Sequence, residues 1–113
     1  MDEKDTVRLK HMFDAAKLCI KFVSGGNRSD LASDTMLLMA LTHVLEIVGE
    51  AASRISDAGK EELPQLPWQK MIGMRNRLAH AYFDVDPNII WDTATGNMQL
   101  LVDVLGPFLA RKN

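Results

Sequence analysis

Residues 30–57, DLASDTMLLMALTHVLEIVGEAASRISD, decide the fold. Leu38, Leu41, Leu45, Val48, Ala52 and Ile55 recur at three- and four-residue intervals and make one helical stripe. Met36, Leu37, Ala40, Val44, Ile47 and Ala51 widen that stripe into a broad apolar arc, leaving only a narrow polar line through Thr42, Glu46, Gly49 and Ser53. Ser29 and Asp30 supply N-cap side chains and Gly59 a stop, so the spacing predicts one long helix ending near Asp57. A helix this apolar in a short chain sits at the centre of a bundle, or faces its own core on one side and a second subunit on the other. A homodimer is the expectation.

Working outward, a first helix is predicted over 2–23. Leu9, Met12, Phe13, Ala16, Ile20 and Val23 form its inner face, and Gly25-Gly26 come directly after it. Pro64 and Pro67 punctuate the next loop, with Pro67 opening a third helix through Trp68, Met71, Ile72, Leu78 and Tyr82. Asp86 and Pro87 read as N-cap and first turn of a fourth helix holding Ile89, Ile90 and Trp91; Gly96-Asn97 and Pro107 are expected to break or kink the C-terminal segment. No segment alternates as a strand would. The fold class is therefore all-α, an antiparallel bundle of four helices, five if the terminal segment divides, in one domain over residues 1–113.

Composition bounds the function. At 113 residues, 47% apolar and 25% charged, the chain can bury one core without disulfide or metal staples. Its one cysteine, Cys19, between Leu18 and Ile20, reads as packing in a reducing compartment. The charged start Met-Asp-Glu-Lys-Asp-Thr lacks a signal peptide's apolar run, and no uninterrupted apolar stretch is membrane-length, so a cytoplasmic location and no membrane partner are expected. A formal net charge of -2 excludes a domain that coats nucleic acid by charge alone. Yet from Leu63 to Phe83 there is no acidic residue, while Lys70, Arg75, Arg77 and His80 fall inside that span.

Within it, Met71-Ile72-Gly73-Met74-Arg75-Asn76-Arg77-Leu78-Ala79-His80-Ala81-Tyr82-Phe83 sets polar groups on a helix whose other face is apolar. At about 100° per residue Tyr82 lies almost in line with Arg75, on the side of Trp68 and Ile72. An arginine there either reaches solvent or pairs with a carboxylate such as Glu46 or Glu50, or serves chemistry. Arg75, Asn76, His80 and Tyr82 match the Arg-x4-His-x-Tyr signature of the HepT toxins of the HEPN superfamily. The flanking Ile72-Gly73-Met74, Phe83-Asp84-Val85-Asp86, Trp91 and Val48-Gly49-Glu50-Ala51 are similar to HepT sequence as well.

The resemblance implies a HEPN-type helical homodimer that cleaves RNA without a metal or cofactor, the ribose 2′-hydroxyl attacking the neighbouring phosphate. His80 is then the general acid and base, Arg75 stabilises the phosphoryl charge, and Asn76 hydrogen-bonds the imidazole or the phosphate. Lys70 and Arg77 are the candidate RNA-binding cations. Arg75 and His80 lie about 140° apart on an ideal helix, so a helix distortion or a second subunit is needed to aim both at one phosphate; in HEPN proteins two motifs face each other across a dimer. The resemblance further implies a toxin–antitoxin pair, in which a minimal nucleotidyltransferase antitoxin adenylylates Tyr82 and so blocks an RNA-phosphate site with negative charge. The competing expectation is a non-catalytic nucleotide- or partner-binding subunit accompanying such a nucleotidyltransferase.

Other features read more plainly. His43, Glu46 and Glu50 share a face but lack a complementary ligand pair, so no metal site is expected. Glu50 and Arg54 suit an i,i+4 pair, and His11 reads as a surface residue. Trp68 and Trp91, at core spacing beside helix starts, read as structural before they read as base-stacking platforms. No Gly-rich phosphate loop, cysteine cluster or serine triad motif is present.

Overall fold

The computed structural model describes residues 1–80 and 86–111, apart from the side chains of Ala79 and His80. Helix α1 runs Glu3–Val23, opened by the Asp2 carboxylate, which accepts from the Asp5 amide at 2.8 Å. Beyond its end lies Gly25 at φ +78°, the left-handed conformation that glycine adopts without a Cβ penalty.

The predicted single helix from Asp30 to Asp57 is in fact two helices, with a third starting at its expected end. A short α2 (Asp30–Ser33) precedes α3 (Thr35–Arg54), because Asp34 is extended and its carboxylate accepts from the Leu37 amide at 3.0 Å. Asp34 acts as a cap inside an otherwise periodic run, while Ser29 makes no cap hydrogen bond. At the other end Ile55 is extended, and Ser56 caps α4 (Asp57–Glu62) by accepting from the Gly59 amide at 3.1 Å. Gly59, expected as a stop, lies inside α4. A Cβ there would come within 2.7 Å of Asp5 Oδ2, so the helix uses glycine to approach α1.

Helix α5 spans Trp68–His80, the Met71 amide donating back to the Pro67 carbonyl at 3.1 Å. The Asp86 carboxylate caps α6 (Pro87–Asp92) by accepting from Asn88 N at 2.9 Å. Gly96-Asn97 do not break the chain there. They end a π-helical turn, Thr93–Asn97, that passes directly into α7 (Met98–Ala110), and Pro107 is carried inside α7. Among the described residues the architecture is thus all-α: α1, α3 and α5 are three of the expected helices, the expected fourth is only the short α6, and the C-terminal segment expected to break or kink forms the long helix α7.

Helix α1 packs between α3 and α7, and α3 between α1 and α5. Arg8 Nη1 donates to the Arg54 carbonyl at 2.9 Å, and the buried Asp5 carboxylate accepts from the Ser56 amide at 3.0 Å; both contacts fix α1 and α3 antiparallel. Leu9, Met12, Leu41, Ile90, Met98, Leu101 and Leu105 are fully enclosed, each burial worth roughly 1.5–3 kcal/mol. Among the described residues α3 is the helix long and apolar enough, by length and composition, to cross a membrane. Its buried face, Leu41, Val44, Leu45, Val48 and Ala52, accounts for that apolarity in part. The rest stays outside the core: Met36 is 83% exposed and Met39 66%, with Ile47 and, on α1, Val7, Leu18 and Phe22 also exposed.

Candidate active site on helix α5

Gly49 sets the site's geometry. A Cβ at that position would lie 2.2 Å from Arg75 Cβ and 2.8 Å from the Met71 carbonyl oxygen, so α3 and α5 touch backbone to backbone at this point. The next residue, Glu50, is thereby brought under the Arg75 side chain. Arg75 Nε donates to Glu50 Oε2 at 2.7 Å, Nη2 pairs with the same oxygen, and Nη1 donates to Asn76 Oδ1 at 2.8 Å. Of the two carboxylates the sequence offers Arg75, Glu50 is the partner. The expected i,i+4 pair also forms, Arg54 Nε donating to Glu50 Oε1 at 2.8 Å. These arginine hydrogen bonds, Arg54's first and Arg75's next, outweigh partial desolvation and hold the Glu50 carboxyl below its usual range.

The result is a guanidinium whose three nitrogens all have partners within the protein, on a side chain that is one-third exposed. Charge-assisted hydrogen bonds fix its plane. Asn76 is exposed beside it, its amide oxygen used by Arg75 and its amide nitrogen directed to no described group. His80 is the last residue of α5, and its side chain lies outside the described residues, as does Tyr82 altogether.

Arg75 borders a groove of about 910 Å³ between α1 and α3, with Val7, Ile47 and Ala51 on its apolar wall and His11, His43 and Glu46 on its polar one. In sequence His11 looks isolated. The antiparallel register of α1 against α3 brings it to the same groove as His43, and only that register could have revealed the pairing. No cluster of metal-ligating side chains forms among the described residues. The basic span is also divided. Lys70 and Arg77 line a second groove, of about 480 Å³, between α5, α3 and the segment from Ile89 to Met98, on the other side of α5 from Arg75. Trp68 is structural: it is buried and its Nε1 donates to the Leu63 carbonyl at 2.9 Å.

Cys19 is fully buried, and desolvation pushes its thiol up to about 12, which removes it from chemistry.

Helix α5 of this all-helical chain thus carries a fixed arginine and an exposed asparagine, with His80 as its last residue. The profile of the ribonuclease HepT-like family matches residues 12–106, and the chain belongs to that family. Over 85 residues it is 35% identical to the protein of Caldanaerobacter subterraneus subsp. tengcongensis named "Putative RNase TTE0752", covering 75% of this chain and 76% of that one. A Thermococcus cleftensis protein named "Probable ribonuclease HepT" is also 35% identical, over 75% of this chain and 77% of its own. The Methanocaldococcus jannaschii protein named "Putative RNase MJ1380" is 32% identical over 74% of this chain and 76% of its own. No solved structure matches the chain.

Proposed function

We propose that the chain is a metal-independent endoribonuclease, the toxin of a cytoplasmic toxin–antitoxin pair. The observation that carries this reading is the Arg75 guanidinium, oriented by Glu50 and Asn76 five residues before His80 on a side chain that is one-third exposed. In the reaction His80 takes the proton of a ribose 2′-hydroxyl, whose oxygen forms a bond to the adjacent phosphorus. The bond from phosphorus to the 5′-oxygen breaks, and that oxygen receives a proton. The products are a 2′,3′-cyclic phosphate and a 5′-hydroxyl, with no metal or redox partner in the balance. Arg75 neutralises the non-bridging oxygens as charge builds on them, a contribution of the order of 3–4 kcal/mol for a preorganised donor. Asn76 adds an amide N–H to the same oxygens or to the imidazole.

The active form on this reading is a homodimer that places Arg75 of one chain beside His80 of the other. Support comes from Val7, Leu18, Phe22, Met36, Met39 and Ile47, which stay exposed along α1 and α3, Val7 and Ile47 lining the groove that Arg75 borders. Tyr82 is the residue on which a minimal nucleotidyltransferase would install AMP, adding anionic groups two residues beyond His80.

The test is cleavage of total cellular RNA by the purified protein in EDTA, native chain against His80→Ala and Arg75→Ala, after intact mass has shown Tyr82 unmodified. Cleavage that survives chelation and is lost in both variants is expected. Equal cleavage by the variants would sink the assignment. No cleavage by any of the three would transfer the protein to the class of nucleotide- or partner-binding subunits. Met39→Glu, measured by sedimentation and by the same assay, should lose dimer and activity together.

A further inference from the structure

Glycine inside a helix costs about 1 kcal/mol relative to alanine, so each one needs a reason. Gly49 and Gly59 have theirs in the close approaches described above. Gly73, in the middle of α5, has none within the protein's own packing: a Cβ there would meet nothing within 4 Å among the described residues, and its φ is not positive. What Gly73 does is leave space. It opens onto the second groove, of about 480 Å³, whose apolar floor includes Leu45, Val48, Met71 and Met74.

That groove is electrostatically unfinished. Lys70 and Arg77 stand on its α5 wall two helical turns apart, about 10 Å along the axis, and neither has an ion pair or hydrogen bond among the described residues. Its acidic wall residue, Asp92, is already neutralised from outside by Arg28. Two cations without a partner among the described residues, above an apolar floor and with the side-chain amide of Asn97 at the margin, form a site for an anion joined to a flat apolar body.

We infer that this groove is an RNA-binding exosite, holding single-stranded nucleotides that flank the bond cut at Arg75 and His80. Phosphates lie against Lys70 and Arg77, and a base seats on the methionine-lined floor. Gly73 and Asn76 are the exposed crest of α5 between the two grooves. A strand passing from Arg75 to the exosite crosses one helix width, about 10 Å, and the missing side chain at Gly73 lets it lie against the helix backbone. The inference rests on the ribonuclease reading and deepens it, by placing the substrate's flank on the far side of α5.

The experiment measures anisotropy of a short fluorescent single-stranded RNA with 2′-O-methyl riboses, which binds but cannot be cut. Gly73→Leu adds side-chain bulk at the groove from a position where a Cβ meets nothing within 4 Å, and leucine favours the helix; it should weaken binding about tenfold or more. The double variant Lys70→Glu, Arg77→Glu should do the same and flatten the salt dependence. Gly96→Leu, an equally open glycine outside the groove, serves as the control and should bind as the native chain does. Native-like affinity in a folded Gly73→Leu overturns the exosite, and would leave the groove to an acidic protein segment. Absence of RNA cleavage by the native chain, with binding still lost in Gly73→Leu, would instead remove the nuclease reading and keep the RNA site.

Discussion

Gly49→Ala is the substitution that should most economically damage both stability and the candidate active site. The added methyl would stand 2.2 Å from Arg75 Cβ, 2.8 Å from the Met71 carbonyl oxygen and 3.1 Å from Arg75 Cγ. Carbon atoms rest about 3.5–4.0 Å apart, so relief needs a displacement of well over an ångström. Arg75 Cβ and the Met71 carbonyl are fixed to the α5 backbone, so no flexible side-chain end can give way and the helices must separate. Overpacking of this kind costs about 1–3 kcal/mol, and the rigid geometry puts this case at the upper end. Alanine's helix advantage returns about 1 kcal/mol, leaving a net loss of roughly 2 kcal/mol. For a chain of this size that is a fall in Tm of about 8 °C, near 4 °C per kcal/mol. Thermal unfolding followed by circular dichroism reads it directly, and RNA cleavage should drop as well because Arg75 moves off Glu50. Gly73→Ala, on the same assay, should raise Tm by a few degrees, about 1 kcal/mol's worth. A Gly49→Ala protein melting within a degree or two of native, or a Gly73→Ala protein melting lower, would refute the packing argument.

Asp5 and Glu50 both have lowered folded-state pKa values: at Asp5 burial raises it but the Ser56 hydrogen bonds and Arg8 outweigh that, and at Glu50 the Arg54 and Arg75 hydrogen bonds dominate. A depressed carboxylate contributes stability above its unfolded pKa and loses it as pH falls through the folded value. Urea midpoints should therefore hold above the ordinary carboxylate range and decline below it, and Asp5→Asn should shallow that decline. Asp34→Ala removes the cap that starts α3 and should cost about 1 kcal/mol, or about 4 °C in Tm, with unchanged cleavage. Cys19, with its thiol near 12, should react with iodoacetamide at pH 8 about a thousandfold more slowly in the folded protein than in urea.

Burial leaves a periodic trace, which makes the long apolar helices legible in the sequence, and α1, α5 and the Asp86-Pro87 start of α6 lie where that trace and the local caps put them. The division of α2 from α3 is hidden because apolar spacing continues across Asp34, and a single side-chain cap decides against it. The π turn at Thr93–Asn97 is easy to misread for a related reason: Gly96 suggests an end, but a helix can absorb one irregular turn without ending. At the site, Arg75, Asn76 and His80 are legible as a motif, and the Glu50 partnership as one of two alternatives. Which side of α5 each cation occupies is not. Lys70, Arg75 and Arg77 look like one basic patch in a charge count, yet Arg75 and Arg77 are two residues apart and so about 200° apart around the helix. Only the positions of α1, α3 and the Ile89–Met98 segment turn those directions into two separate grooves.

This division bears on how a chain of net charge -2 can act on RNA. If all three cations faced one phosphate, Glu50 would subtract from a single small patch and binding would compete with the internal ion pair. Arg75 is committed to Glu50 and Asn76; under the proposed nuclease reading its task would be orientation at the reacting phosphate, and affinity would fall to cations without internal partners. Lys70 and Arg77 meet that condition among the described residues. Raising salt should then weaken substrate capture steeply while leaving turnover of bound RNA nearly constant, because the locked guanidinium is screened far less than the open lysine and arginine. Single-turnover cleavage across a salt series separates the two: a bound-state rate that falls in step with affinity would mean that one set of cations serves both tasks, and the two-groove account would be wrong.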